Sequence, residues 1–394
     1  MDIQNENSFA QALVENGHEA ASPMSDVSGS AAGEQLFFSL LRCAARGQDA
    51  DVGQGAPPGA RVWARVYRLA REQALAGVLF DVVQRLPREW MPPKALLMEW
   101  YALAAQVRQR NRRMNAATMA VQAELRRRGL RSTMLKGQGL ALLYAQPLSR
   151  MSGDIDVWVE GSRRHVLRAL PPRGGAKVVY HHTKLYLKDG TEVEVHFTPS
   201  WMNRPVINRR LQRWFSAVAD EQFRHEVELP EGAGRAIVTT AAFNRVYVLV
   251  HIYRHLFGEG VGLRQLMDYY HVLRQDCAPE ERAETMRTLR RLRMGRFAGA
   301  VMYVMQHVFG LEDRYLLTAP DEREGRFLLS EVMQAGNFGM YDARIVRRPD
   351  ERAWQRFSRR VRRNLRFWRS YPGEVFFTPV FKVWHMVWRR WHGY

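Results

Sequence analysis

Between Ser132 and Phe197 the apolar residues recur at every second position in short runs, while on either side they recur every third or fourth. STML (132–135), DIDVWVE (154–160) and the stretch VVYHHTKLYLKDGTEVEVHF (178–197) carry the two-residue period of strands with alternating faces. The last of these folds back on itself at Asp189-Gly190, a strong hairpin signal. Upstream, Leu36, Phe37, Leu40 and Leu41 begin helical stripes that run to Leu130. Downstream, FNRVYVLVHIYRHLF and LRQLMDYYHVLRQ are amphipathic helices joined by GEGVG (258–262). The expected class is α+β: a small mixed-sheet core flanked by N- and C-terminal helical regions. The expected divisions are a disordered leader at 1–33, a helical region at 34–130, an α/β core at 131–230 and a helical region at 231–394.

The helix expected over 102–129 is rich in arginine and is closed by Gly129 as a C-terminal cap. Arg126, Arg127 and Arg128 suit the negative end of its dipole, which accounts for them without a ligand. The chain as a whole carries a formal charge of +19, a balance that favours polyanionic partners without choosing among them. Cys43 and Cys277 are isolated, so neither a disulfide framework nor a cysteine zinc site is expected. MDIQNENSF lacks the basic and apolar regions of a signal peptide, and no apolar run is long enough to span a bilayer. The expected setting is cytoplasmic, with a peripheral place at a membrane as the variant.

The strand-like runs carry the acids. Asp154 and Asp156 share one face of their strand, because side chains alternate. Two adjacent carboxylates repel unless a cation sits between them, and Mg²⁺ combines carboxylates with substrate phosphates. Glu192, Glu194 and His196 share a face of the hairpin strand. If that strand lies beside the first, Glu194 completes a three-carboxylate site that suits in-line phosphoryl displacement, or takes a proton from an acceptor hydroxyl. The plain alternative is a solvated acidic face. At the junction of strand and helix, Lys136-Gly137-Gln138-Gly139 offers backbone N–H groups and one charge to a phosphate, without the spacing of a Walker A loop. Arg150, just before the acidic strand, can clamp a phosphate oxygen.

The run LKGQGLALLYAQPLSRMSGDIDVWVE resembles the signature of the uncharacterised nucleotidyltransferase family within the DNA polymerase beta-like superfamily. The matching residues are Leu135, Lys136, Gly137, Tyr144, Arg150, Asp154 and Asp156. Glu194-Val195-His196 is similar to the family's later acid-hydrophobic-His strand, and His251, His255, Arg264 and Asp268 to its helical half. The resemblance spans roughly residues 105–275. It implies a nucleotide site formed by Lys136, Gly137, Gln138, Arg150, His196, His251, Arg264 and Asp268. It also implies metal held by Asp154, Asp156 and Glu194, dependence on Mg²⁺ with Mn²⁺ as the alternative, and transfer of a nucleoside monophosphate from a nucleoside triphosphate to an unidentified acceptor hydroxyl. Better-known members of the superfamily carry Gly-Ser in the phosphate turn. Here Gln138 or backbone N–H groups take that place.

His251 and His255 lie one turn apart, yet no Glu follows His251, so a zinc-protease motif is absent. Arg264 and Asp268 have the spacing of an intrahelical ion pair. From Trp354 to Trp391 aromatic residues interleave with arginine, a mixture that suits an anionic membrane surface or single-stranded nucleic acid. Two rival functions follow. One is a non-enzymatic binding protein with a degenerate catalytic domain. The other is a DxD glycosyltransferase, which the helical character of 34–130 disfavours.

Overall fold

A computed structural model describes residues 27–51, 55–171, 178–187, 190–345 and 351–392. Most of the expected leader lies outside these residues, but helix α1 (Val27–Arg46) starts ahead of Glu34, where the apolar period begins. Helices α2 (Ala60–Glu72), α3 (Ala76–Val83) and α4 (Lys94–Arg127) follow. Phe37, Leu40 and Leu41 are buried as their spacing requires, in one core with Trp63 and Val66 of α2 and Trp100 of α4. The Trp100 indole N–H donates to the Ala76 carbonyl at 2.8 Å, so its polar atom is satisfied inside the core. Helix α4 serves two cores. Trp100, Leu103 and Val107 pack among the helices, and Met114, Val121 and Leu125 pack under the sheet. Among its arginines Arg108 pairs with Asp81 and Arg112 with Glu231, while Arg127 and the capping Arg128 pair locally with Glu124.

The sheet contains β1 (Ser132–Leu135), β2 (Ile155–Val159), β3 (His182–Tyr186) and β4 (Glu192–His196) in the order β1-β2-β4-β3. β1 runs antiparallel to β2, β2 parallel to β4, and β3 antiparallel to β4. The parallel pair needs a crossover, which helix α6 (Arg163–Ala169) and β3 supply; the short helix α5 (Gly137–Ala141) links β1 toward β2. Ile155, Val157, Val193 and Val195 form one face and pack on α4. The other face carries Trp158, which meets Phe215 of α7 (Pro205–Gln222) and Phe243 of α8 (Ala241–Gly258). The acidic residues of β2 and β4 sit on this second face, so α8 roofs them. A small hairpin, β5 (Glu226–Leu229) and β6 (Gly234–Ile237), leads into α8.

Helices α9 (Leu263–Leu273), α10 (Pro279–Arg291), α11 (Gly295–Phe309), α12 (Glu322–Ala335), α13 (Ala353–Leu365) and α14 (Pro372–Trp391) complete the chain. All but α13 contribute to one apolar core shared with α1 to α3. Arg42 and Arg46 of α1 donate to the carbonyls of His307 and Gly310 at the end of α11. The turn before α9 passes backbone to backbone. Gly260 has φ +131°, and a Cβ there would lie 2.7 Å from the Gly339 nitrogen, so only glycine lets α9 dock in this position.

Candidate active site

The register of the sheet gathers the charged groups. Asp156 lies opposite Glu194 on the parallel strand, and Leu135 lies opposite Asp156 on the antiparallel one. Lys136 therefore leaves the ladder at the level of Asp156. It does so with φ 54° and Gly137 follows with φ 49°, a left-handed pair that is costly at a lysine and natural at a glycine. This turn carries the Lys136 ammonium to 3.0 Å from Asp156 Oδ2. His196 Nε2 donates to Asp156 Oδ1 at 3.0 Å and lies 3.4 Å from Glu194 Oε2. His251, from α8, accepts from Lys136 Nζ at 3.3 Å. Asp156 is 8% exposed and Glu194 6%, so the alternative of a solvated acidic face fails for this pair, while Asp154 and Glu192 are half-buried.

Burial alone would raise the pKa of both acids, but their partners win. Lys136 and His196 hold the Asp156 carboxyl well below its usual range, and His182 and His196 lower that of Glu194. Burial opposes the charge on His196, yet Asp156 and Glu194 push its pKa up to about 9. His251 is held neutral, first by burial and then by the nearby Lys136. The His196 imidazolium stabilises the fold fully below its unfolded pKa near 6.5, and this contribution disappears as pH rises through about 9. The depressed acids act in the opposite direction. Their contribution is present above the ordinary carboxylate range and falls away on acidification.

A second cluster lies behind the first. Arg150, 2% exposed, grips Asp268 with Nε on Oδ1 and Nη2 on Oδ2, both at 2.7 Å. The Tyr144 hydroxyl donates to Asp268 Oδ1 at 2.7 Å, and Arg264 approaches Oδ2 at 3.6 Å. The arginine expected to clamp phosphate from a loop is thus buried and tied to α9, because Asp268 offers a bidentate partner there. Arg264 is both an intrahelical partner of Asp268 and a neighbour of the Phe338 ring at 5.7 Å. Gln138 is also buried, with its amide nitrogen on the Asn115 side-chain oxygen.

Lys136, Asp156, Glu194, His196 and His251 come together. Asp154 stands at the entry to β2, half-buried, within electrostatic range of Arg110 and Arg264. His182 and Tyr247 were not singled out from sequence. His182 Nδ1 lies 3.2 Å from Glu194 Oε2. The Tyr247 hydroxyl is kept protonated by burial and then by the charges of Asp156 and Glu194. The hairpin register could have found His182, since it faces His196 directly; nothing local marks Tyr247.

Asp156, Glu194 and His196 each offer a ligand atom, all within 4.8 Å of one another. Two carboxylates with one imidazole fit a hard divalent cation, Mg²⁺ or Mn²⁺, with Mn²⁺ the more tolerant of nitrogen.

A family model described as uncharacterised nucleotidyltransferase matches residues 59–310. Among solved structures, an antigenic nucleotidyltransferase-like protein from Paracoccidioides brasiliensis is similar at 11% identity, with 54% of this chain and 96% of that chain covered and a TM-score of 0.33. No curated protein matches this chain.

Proposed function

We propose that this chain, which belongs to the uncharacterised nucleotidyltransferase family, moves a nucleoside monophosphate from a nucleoside triphosphate to an acceptor hydroxyl and releases pyrophosphate. The observation that carries this reading is the in-register placement of Asp156 and Glu194 on parallel strands, beside Lys136. Asp156 and Glu194, with Asp154 at the strand entry, would hold Mg²⁺ or Mn²⁺, which supplies Lewis-acid polarisation of the phosphate oxygens. Lys136, once its carboxylate partner is otherwise engaged, places its charge on a triphosphate oxygen. Glu194 accepts the proton of the acceptor hydroxyl as that oxygen bonds to the α-phosphorus and the bond to pyrophosphate breaks. His196 gives up the proton it shares between the acids when they turn to a cation.

That last step has a sign. Cation binding that releases the His196 proton strengthens with pH below about 9. Mn²⁺ affinity is expected to rise about tenfold per pH unit between roughly pH 6.5 and 8.5. Isothermal titration at both ends of the range checks this, and a flat profile would count against displacement of the proton.

A second reading rests on the same contacts: Lys136 and His196 already neutralise the acids, as they would in a degenerate, purely binding domain. Incubation with α-phosphate-labelled triphosphates and Mg²⁺ across plausible acceptors separates the two. Labelled product from the wild type that vanishes in Asp154→Ala/Asp156→Ala supports transfer. No labelling in any arm favours the binding domain, and labelling that survives the double substitution removes the assigned site.

No helix among the described residues is long and apolar enough to cross a membrane. We read α13 and α14 as a surface that lies on anionic lipid. Phe376, Val380, Val387 and Trp391 of α14 are exposed, as are Trp354 and Trp368, with Arg362, Arg369 and Arg390 exposed among them. Co-sedimentation with phosphatidylserine vesicles is expected, with loss on neutral vesicles, at high salt, and in Phe376→Ala/Trp391→Ala. Preference for a single-stranded oligonucleotide over the vesicles would contradict it.

A further inference from the structure

We propose that His181, His182 and His196 form a second metal site, for a borderline divalent ion of the Zn²⁺ and Co²⁺ class, beside the carboxylates and sharing His196 with them. The hairpin register sets two of the ligands: His182 faces His196 across β3 and β4 on one side of the sheet. His181 would point to the other side of an ideal strand. It lies one residue before β3, where the chain bends: the Val179 amide donates to the His182 carbonyl at 2.9 Å, and the Phe197 amide to the His181 carbonyl at 2.8 Å. The His181 ring therefore joins the others. Its centroid is 4.3 Å from that of His182 and 5.4 Å from that of His196. One ring nitrogen from each of the three lies within 4.8 Å of the others.

The hydrogen bonding of this cluster is incomplete. His181 Nε2 and His182 Nδ1 are 2.9 Å apart, so that pair is joined. The Nδ1 atoms of His181 and His196 are buried and have no hydrogen-bond partner among the described residues. A buried polar atom left without a partner is unfavourable by about 1–3 kcal/mol in general, and a ligated cation relieves it. Three imidazoles select Zn²⁺, Co²⁺ or Ni²⁺ over Mg²⁺, whereas Asp156 and Glu194 prefer the hard ion. Nitrogens bound about 2 Å from a tetrahedral ion stand roughly 3.4 Å apart, so a set lying within 4.8 Å closes by at most about 1.4 Å on binding. The surroundings support orientation. Trp201 lies against the His181 ring with centroids at 3.9 Å, and Glu194 Oε2 meets His182 at 3.2 Å, the carboxylate–imidazole contact usual around metal ligands. Three protein ligands leave a fourth position for water or substrate. The site shares only His196 with the proposed transferase centre and does not depend on that activity.

The test uses the full chain. With Co²⁺ as probe, visible ligand-field absorption and affinity are read in wild type, His181→Phe, His181→Ala and Asp156→Asn/Glu194→Gln. His181→Phe keeps a ring against Trp201 and removes the nitrogen. Both His181 variants are expected to lose at least tenfold in Co²⁺ affinity while Mn²⁺ binding, read by electron paramagnetic resonance, changes less than twofold. The double carboxylate variant is expected to do the reverse. Co²⁺ affinity within twofold of wild type in His181→Phe overturns the proposal, as does joint loss of both ions in the carboxylate variant, which means a single site. Zinc X-ray absorption on the wild type needs no variant: a shell of three imidazoles supports the site, and an oxygen shell with at most one imidazole overturns it.

Discussion

Asp268→Ala is expected to lower the stability of the fold by about 3–5 kcal/mol, the cost typical of breaking a buried ion pair from one side. Asp268 accepts both forks of Arg150 and the Tyr144 hydroxyl, and Arg264 stands 3.6 Å away. All four side chains are buried. Removal of the acid leaves two guanidiniums in the interior, and arginine does not shed its proton to escape. The network joins the loop before β2 to α9, so sheet and helical half are tied by it. Denaturant midpoints at constant slope measure the loss. Arg150→Met/Asp268→Leu, which removes both charges, is expected to recover much of it. The acid has the usual sign with pH. Burial would raise its pKa, Arg150 outweighs that and lowers it, so the contribution exists above the ordinary carboxylate range and is lost on acidification. A cost under about 1 kcal/mol for Asp268→Ala would mean that this network does not hold the two halves together.

Asp156→Asn is expected to cut nucleotidyl transfer by a factor on the order of 10³ or more while leaving the protein folded. Asparagine keeps the shape but not the charge that would bind a cation. The contrast with Asp268 lies in the partners. Lys136 is partly exposed and can turn to solvent, and His196 can lose its proton once the acid that raised its pKa is gone. No unavoidable buried charge remains. Steady-state pyrophosphate release gives the rate, and the thermal midpoint gives the fold. Activity within tenfold of wild type would place the chemistry elsewhere.

Strand alternation made the acids legible. Asp154 and Asp156 on one run, and Glu194 with His196 on another, follow from a two-residue period and from the turn at Asp189-Gly190, of which Asp189 lies outside the described residues. The pairing that matters, β2 parallel to β4, is not local. It depends on a crossover through α6, and sequence offers it only as a condition. Arg150 reads in sequence as a loop arginine able to clamp a phosphate, because its partner Asp268 is 118 positions away. Helix α8 shows its amphipathic stripe in sequence, but not that Tyr247 and His251 face the sheet; that depends on which strand lies beneath. Helix α1 begins within a stretch whose serines and glycines argue against a helix, and its later turns, through Phe37 and Leu40, pack it in place. Tertiary burial there overrides local preference.

The central claim is that Asp156 and Glu194 hold a divalent cation together with a nucleoside triphosphate. A Mn²⁺ titration followed by electron paramagnetic resonance, with and without a non-hydrolysable triphosphate analogue, tests it most directly. Wild type is expected to bind Mn²⁺ at the carboxylates, more tightly when the analogue is present, with both effects lost in Asp156→Asn/Glu194→Gln. Unchanged Mn²⁺ binding in that variant, or an analogue that leaves wild-type Mn²⁺ affinity unaltered, would contradict it.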